Sequence, residues 1–312
     1  MKTKTLILYL FFLSLFTFKG YSNDLSSPIK VLHLTFHKGC ENEINALGTI
    51  LNLDVTTWHI QNLDPQWLDG ESNGNALYNI SHKRACRIWE LHQQEFEKYD
   101  IILTSDTAPL ARIFLQNGWK KPLIIWVCNR FDYSDTSSLD CDFPENEFYN
   151  YFRITPHLKN VHVIAYTQYE QVYAHLKGID LGPLIIKPTG LCSPKNFSSL
   201  IPSSIKKHET FFLPPYYNEK TFMNAQEFLT EKGIPTYCGR YRGPKDLKDF
   251  KAIIHLPYAW SNFALFENLL EGMTYLLPSK KFMRKLIAQD GYWLSDPTQF
   301  HLSEWYDEVN AP

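Results

Sequence analysis

Short apolar runs alternate along this chain with longer stretches in which apolar positions recur every three or four residues. The first pattern predicts buried parallel strands, the second amphipathic helices. Ile29 to Phe36 (IKVLHLTF) opens as a strand, and His37-Lys38-Gly39-Cys40 turns the chain into a helix over Glu41 to Leu51. Strands are expected at Asp54–His59, Asp100–Thr104, Pro122–Val127, Val161–Ala165 and Leu184–Ile186. Helices are expected at Ile80–Lys98, Ala108–Asn117, Glu147–Leu158 and Gln168–Lys177. Asn62 to Asn79 and Asp135 to Asn146 are too rich in polar and turn-forming residues for either element. Such alternation predicts a parallel sheet with helices on both faces.

Pro188 to Lys207 (PTGLCSPKNFSSLIPSSIKK) interrupts the pattern with prolines and serines and reads as a linker. The alternation then restarts. A strand is expected at Thr210–Leu213, a helix at Asn218–Lys232, a strand at Pro235–Cys238 and a short helix at Lys245–Phe250. Phe250 to Ser279 (FKAIIHLPYAWSNFALFENLLEGMTYLLPS) parses as strand, loop, helix, strand. Ala252 to Leu256 is apolar, and Pro257 has no N–H for a ladder. Ser261 or Asn262 can cap the helix, and Gly272 stops it. Glu267 and Glu271 lie one turn apart on that helix.

At 312 residues the chain has room for two domains, 24–187 and 208–312, joined by the 188–207 linker. A hydrophobic fraction of 44 % with 21 % charged residues is globular. The net charge of −2 gives no electrostatic case for a nucleic-acid partner. Residues 1–23 stand outside the fold. Lys2 and Lys4 precede an apolar run, Thr5 to Phe18, that is short for a bilayer span, and Gly20-Tyr21-Ser22 offers small residues for cleavage. This reads as a secretory signal peptide, so the chain is expected to be exported. An uncleaved signal-anchor is the alternative, and it would be the chain's one contact with a membrane. The six cysteines are irregularly spaced and form no CxxC, which disfavours zinc. Cys128 and Cys141 are spaced to close a loop, but most of the six are expected to be buried thiols.

The Phe250–Ser279 segment resembles the donor-binding segment of GT-B-type glycosyltransferases. The likeness rests on Glu267, on Gly272 five residues later, and on the short strand Tyr275-Leu276-Leu277 ending at Pro278-Ser279. It departs from many retaining members at position 259, where Ala stands in place of a second Glu. The resemblance implies two doubly wound Rossmann-like domains facing a cleft. It also implies a nucleotide-diphosphate sugar as donor substrate and a glycan, lipid or protein hydroxyl as acceptor, with neither a cofactor nor a metal required. It puts the ribose hydroxyls of the donor on Glu267.

Ligands of open α/β sheets sit at the carboxyl ends of strands, so residues there are the site candidates. For the donor these are Arg240 and Arg242, whose guanidinium forks suit a diphosphate, and Tyr258, Ser261 and Asn262 in the loop before the Glu267 helix. A solvated basic turn is the plainer account of the two arginines. For the acceptor they are Asn129, Arg130 and Asp132, of which the last two can equally pair with each other as structure. In inverting members of the resembled class a His after the first strand is often the base. His37 holds that place, and Asp106 could orient and stabilise its imidazole; a surface His beside a Lys is the alternative. Asp140-Cys141-Asp142 matches a metal-binding D-x-D only weakly, because it follows a polar stretch. No Walker, G-x-G-x-x-G, G-x-S-x-G or H-E-x-x-H motif occurs. The sequence therefore predicts a glycosyltransferase, with two rivals: an exported two-lobe solute- or sugar-binding protein, and a catalytically degenerate transferase-like domain.

Overall fold

The structure, a computed structural model, describes residues 27–60, 80–129, 131–132, 146–191, 198–215, 225–255, 262–279 and 281–282. The first half forms a five-stranded sheet from β1 (Ile29–Thr35), β2 (Leu53–His59), β3 (Ile101–Asp106), β4 (Leu123–Val127) and β5 (Val161–Ala165). All pairings are parallel, in the order β2-β1-β3-β4-β5. The helices between them are α1 (Lys38–Leu51), α2 (His82–Phe96), α3 (Arg112–Gln116, after a 3-10 turn at Ala108–Ala111), α4 (Asn146–Ile154) and α5 (Gln168–Leu176). The expected Leu184–Ile186 strand reduces to one parallel bridge, Ala165 to Ile185.

The second half forms a four-stranded parallel sheet, β6 (Phe211–Leu213), β7 (Thr236–Cys238), β8 (Ile253–Ile254) and β9 (Tyr275–Leu276), in the order β7-β6-β8-β9. Its helices are α6 (Ala225–Glu231), α7 (Pro244–Leu247) and α8 (Phe263–Leu270). The protein is thus two Rossmann-like units with the same opening strand order, each reversing direction between its first and third strands.

Strand side chains alternate between faces, and the first sheet divides its core accordingly. Leu32, Leu34, Ile102, Ile125 and Val163 join the aromatic helix residues Phe96, Phe114, Phe148 and Phe152 on one face. Val31, Ile101, Leu103, Ile124, Trp126 and Ile164 point to the other. That second face is covered by α1, through Cys40 and Ile44, and also by α8, whose Phe263 is 9 % exposed and packs there together with Phe266. A helix of the second unit therefore completes the core of the first. Phe263 meets Trp126 and Tyr166 edge-on, with ring centroids 5.8 Å and 5.0 Å apart. The second unit's own buried cluster is small: Ile201, Phe212, Leu247 and Ile253, lined by Tyr237, Tyr241 and Phe250. Among the described residues no helix is long and apolar enough to cross a membrane.

Candidate functional site

In a sheet of order 2-1-3-4-5 the strands run apart at the carboxyl ends of β1 and β3, and the gap between them is a natural binding crevice. His37 follows β1, and Asp106 is the last residue of β3. β3 runs two residues beyond its expected end at Thr104. Ser105 and Asp106 stay in register with Trp126 and Val127 of β4, and so carry polar side chains into the crevice.

His37 is the N-cap of α1, which starts three residues before its expected first residue. Its Nδ1 accepts the Gly39 amide at 3.0 Å, while its own N–H donates to Thr35 Oγ1 at 3.1 Å. Its ring stacks on Phe263 of α8 with centroids 5.4 Å apart. Gly39 permits this: a Cβ there would lie 2.8 Å from the Phe263 ring and 2.9 Å from the imidazole. His37 is solvent-exposed, as is the neighbouring Lys38, with its ring stacked on Phe263. Burial opposes its charge, but a hydrogen bond with Cys40 and attraction to Cys40, Asp106 and Glu267 outweigh it and raise the imidazole to about 9.

Asp106 is 7 % exposed. Its φ of 75° is left-handed, a region that costs a non-glycine residue of the order of 1–3 kcal/mol and that clusters at functional sites. Among the described residues its carboxylate accepts no hydrogen bond. Burial and then the negative charge of Cys40 push it up to about 7, with His37 opposing. Next to it, Thr107 Oγ1 is buried with no hydrogen-bond partner among the described residues, as is Tyr166 Oη under Phe263. Cys40, in the first turn of α1, is fully buried between His37 and Cys128. Burial alone would raise its thiol, but hydrogen bonds with Cys128, His37 and Ser105 lower it, while burial and Cys40 raise Cys128. Cys40, Cys86 and Cys128 are free thiols; Cys141 and Cys192 lie outside the described residues.

A buried polar chain lies beneath. Thr57 donates to Asn45 Oδ1 at 3.3 Å, so its oxygen takes the His33 Nδ1 proton, also at 3.3 Å. His33 Nε2 meets Ser105 Oγ at 2.7 Å, and Ser105 is hydrogen-bonded to Thr35 at 3.0 Å. Burial first, and then His59, lower His33 to about 3, so it is a neutral bridge between β1, β2 and β3. Thr35 in turn holds the His37 backbone.

The second unit reaches this crevice through α8. Asn262 caps the helix by accepting the Ala264 amide at 2.8 Å, one of the two caps the sequence allows, and Gly272 ends it at φ 79°. Glu267 is half-buried and raised by desolvation, with His37 opposing, whereas Glu271 is exposed. The two glutamates thus differ as sharply as a binding and a solvated residue would. Between the units runs Pro188-Thr189-Gly190. Glu43 of α1, 2 % exposed, accepts the Thr189 amide and hydroxyl, both at 2.6 Å. Gly190, at φ 74°, leaves 2.4 Å between a would-be Cβ and the Phe266 carbonyl, so only glycine fits.

Other sequence candidates are placed less centrally. Arg240 and Arg242 are exposed in the turn before α7, which packs on α8. Asp246 braces that turn through the Arg242 amide at 2.8 Å, and Arg242 Nη1 donates to the Ser198 carbonyl at 3.2 Å. Asp132 accepts from Tyr149 at 2.6 Å and Tyr173 at 2.8 Å, which ties it into the first unit's own core. Asn129 is half-buried just after β4. Arg130, Tyr258, Ser261 and the Asp140-Cys141-Asp142 triplet lie outside the described residues. One pairing changes. Asp106 was expected to hold the His37 imidazole, but the Gly39 amide occupies Nδ1, and Asp106 acts on the ring through charge alone. Sequence reasoning passed over Gly39, Cys40, Glu43, Thr189-Gly190 and Phe263. His-x-Gly-Cys at a strand end, and Thr-Gly after Pro188, were the available signals. Among the described residues no group of three or more His, Cys, Asp or Glu could hold a metal ion.

No protein-family model matches the chain, and no curated protein matches it. Among solved structures it is similar to the glycosyltransferase SnogD from Streptomyces nogalater, with 9 % identity and a TM-score of 0.41 over 90 % of this chain and 96 % of that one. It is also similar to UGT89C1 from Arabidopsis thaliana, solved with UDP-L-rhamnose, with 13 % identity and a TM-score of 0.40 over 92 % of this chain and 83 % of that one.

Proposed function

We propose that this protein transfers a glycosyl group from a nucleotide-diphosphate sugar to an acceptor hydroxyl, with the donor held by the second unit and the acceptor by the first. The observation that carries the reading is the convergence at one crevice of His37 and Asp106, from the switch point of the first sheet, with Glu267, from the helix that follows β8. Glu267 is half-buried, raised in pKa and one helical turn from a solvated Glu271, which suits a carboxylate that accepts ribose hydroxyls. Asn262 fixes the start of the same helix. Arg240 and Arg242, exposed on the turn that leads into α7, can supply charge-assisted contacts to the diphosphate. In this reading Asn129, just after β4, borders the acceptor side, and donor roles for Tyr258 and Ser261 and an acceptor role for Arg130 are proposed from their sequence positions alone. Asp132, with both oxygens engaged by tyrosines, supports that wall from within. No metal ion is needed in this scheme, since the arginines meet the leaving group's charge. Export across a membrane is proposed on the N-terminal segment alone.

A thermal-shift screen of the full chain against nucleoside diphosphates, nucleosides and free sugars tests the reading. A ligand that binds only the folded state raises Tm by mass action. Shifts with nucleoside diphosphates support a transferase. Shifts with free sugars alone would favour the solute-binding alternative. Nucleotide binding without any release of nucleoside diphosphate from sugar donors would favour the degenerate one.

A further inference from the structure

We propose that Asp106, and not His37, is the group that takes the proton from the acceptor hydroxyl; the inference rests on the transferase reading above. A general base needs a lone pair within reach of the proton it removes. His37 has none free in either protonation state. When neutral, its Nδ1 is filled by the Gly39 amide at 3.0 Å, so the proton sits on Nε2. When charged, both nitrogens are donors. Freeing Nδ1 would undo the cap of α1, which Gly39 makes possible, since a Cβ there would meet both the imidazole and Phe263.

Asp106 has the opposite arrangement. It ends β3 at the sheet's switch point, in a left-handed conformation, more than nine-tenths buried, with a carboxylate that no described donor engages. A buried carboxylate left without donors is costly unless something else uses it. The groups that face it are His37 at the start of α1, Cys40 in the first turn of α1 and Cys128 after β4, with Glu267 of α8 acting on His37 from the other side. Burial and the negative charge of Cys40 hold its affinity for a proton close to neutrality, where a base works best.

The step balances as follows. The acceptor O–H proton moves to a carboxylate oxygen of Asp106 as the acceptor oxygen bonds to the anomeric carbon. The bond from that carbon to the diphosphate oxygen breaks, and its electron pair leaves on the nucleoside diphosphate. Asp106 then returns the proton to solvent. His37, with Nδ1 held by the Gly39 amide, keeps only an Nε2–H to donate and does not move a proton in this step.

The test uses the full chain with UDP-glucose, UDP-galactose, TDP-glucose and GDP-mannose as donors, and follows release of nucleoside diphosphate and its pH profile. Donor affinity is measured in parallel as a check on folding. Asp106→Asn is expected to lower turnover by about 10²–10⁴-fold at unchanged donor affinity, and to remove the acid limb of the profile near pH 7. His37→Gln is expected to lose about tenfold or less and to retain that limb. ¹⁵N NMR of the imidazoles should show His37 Nε2 protonated from pH 5 to 9. A wild-type enzyme whose Asp106→Asn variant turns over normally, or a His37→Gln variant that loses the acid limb, would overturn the assignment while leaving the transferase reading intact. Failure of the wild-type protein to bind or turn over any nucleotide sugar would remove both.

Discussion

The first sheet is built from strands of five to seven residues, buried on both faces, with a neutral histidine and three hydroxyls bonded together beneath the crevice. The second has the same opening strand order, but its strands are two or three residues long and, among the described residues, its buried cluster holds four. The difference teaches where rigidity is placed. His37 and Asp106, the groups proposed to act on the substrate, stand on the deep sheet, at the ends of long strands whose hydrogen bonds fix them. The shallow unit presents its helix, and that helix is steadied by burying Phe263 and Phe266 against the other unit's sheet.

The contrast breaks most visibly at Phe263. Phe263→Ala removes the ring that stacks on His37 and fills the second face of the first sheet. It should cost about 3–5 kcal/mol of stability, the range for large-to-small changes at buried aromatics. Urea unfolding followed by tryptophan fluorescence measures it. A loss below about 1 kcal/mol would mean that α8 does not complete the first unit's core.

Asp106→Asn should act in the opposite direction. The folded carboxyl, at about 7, binds a proton more tightly than the unfolded one, at 3.8, so the folded state is the more protonated between those values. Stability then falls as pH rises through that window, by up to about 4 kcal/mol for a shift of this size. Asparagine carries no charge to bury. The variant should therefore be more stable than wild type at pH 8 and nearly equal to it at pH 4, as read from paired urea midpoints. An unchanged difference across that range would show that Asp106 is not held near neutrality.

Much of this contrast was legible beforehand. The strands of the first sheet fell within two residues of expectation because unbroken apolar runs such as Leu123–Val127 and Val161–Ala165 admit little else at that length. Helical spacing puts Glu267 and Glu271 on one face, so their different exposure was not legible; it arises because Glu271 is the exposed C-cap of the helix. The rest depended on tertiary context. Ser105-Asp106 extends β3 although both residues are polar, because β4 continues beside them and the switch point leaves room. His-Lys-Gly-Cys reads as a turn, but the His37 side chain caps the helix and draws Lys38 to Cys40 into it. Of the Ala252–Leu256 run, the described residues pair at Ile253 and Ile254, beside strands of two and three residues, and Leu256 lies outside the described residues. Nothing local in FALFENLL announces that its first phenylalanine serves a sheet formed some hundred residues earlier.

The buried polar chain sharpens the comparison on the rigid side. His33→Ala leaves Thr57 and Ser105 without their shared partner, and a buried polar group so stranded costs about 1–3 kcal/mol. The loss should appear at neutral pH and shrink as pH falls. His33 is held near 3 while the unfolded histidine titrates at 6.5, so wild type itself loses stability as acid protonates the unfolded state. Urea midpoints at pH 7.5 and 5 give the comparison. A larger deficit at pH 5 would contradict a neutral His33.

A smaller effect is expected at Thr189, where Thr189→Val removes one of two hydrogen bonds to Glu43 and keeps the backbone one, a cost of about 0.5–1.5 kcal/mol. Hydrogen exchange at the Gly190 and Leu191 amides would report local loosening. Unchanged exchange there would place the connection's rigidity elsewhere.

The central claim is that the crevice holds a nucleotide diphosphate sugar with Glu267 on its ribose. Calorimetric titration of UDP, GDP and TDP into the wild-type chain, Glu267→Ala and Glu271→Ala tests it most directly. The account expects one of these diphosphates to bind the wild type and Glu271→Ala alike, and to bind Glu267→Ala about 10–150-fold more weakly, the equivalent of about 1.5–3 kcal/mol for a hydrogen bond to a charged group. Equal affinities in all three proteins, or no binding to the wild type, would contradict it.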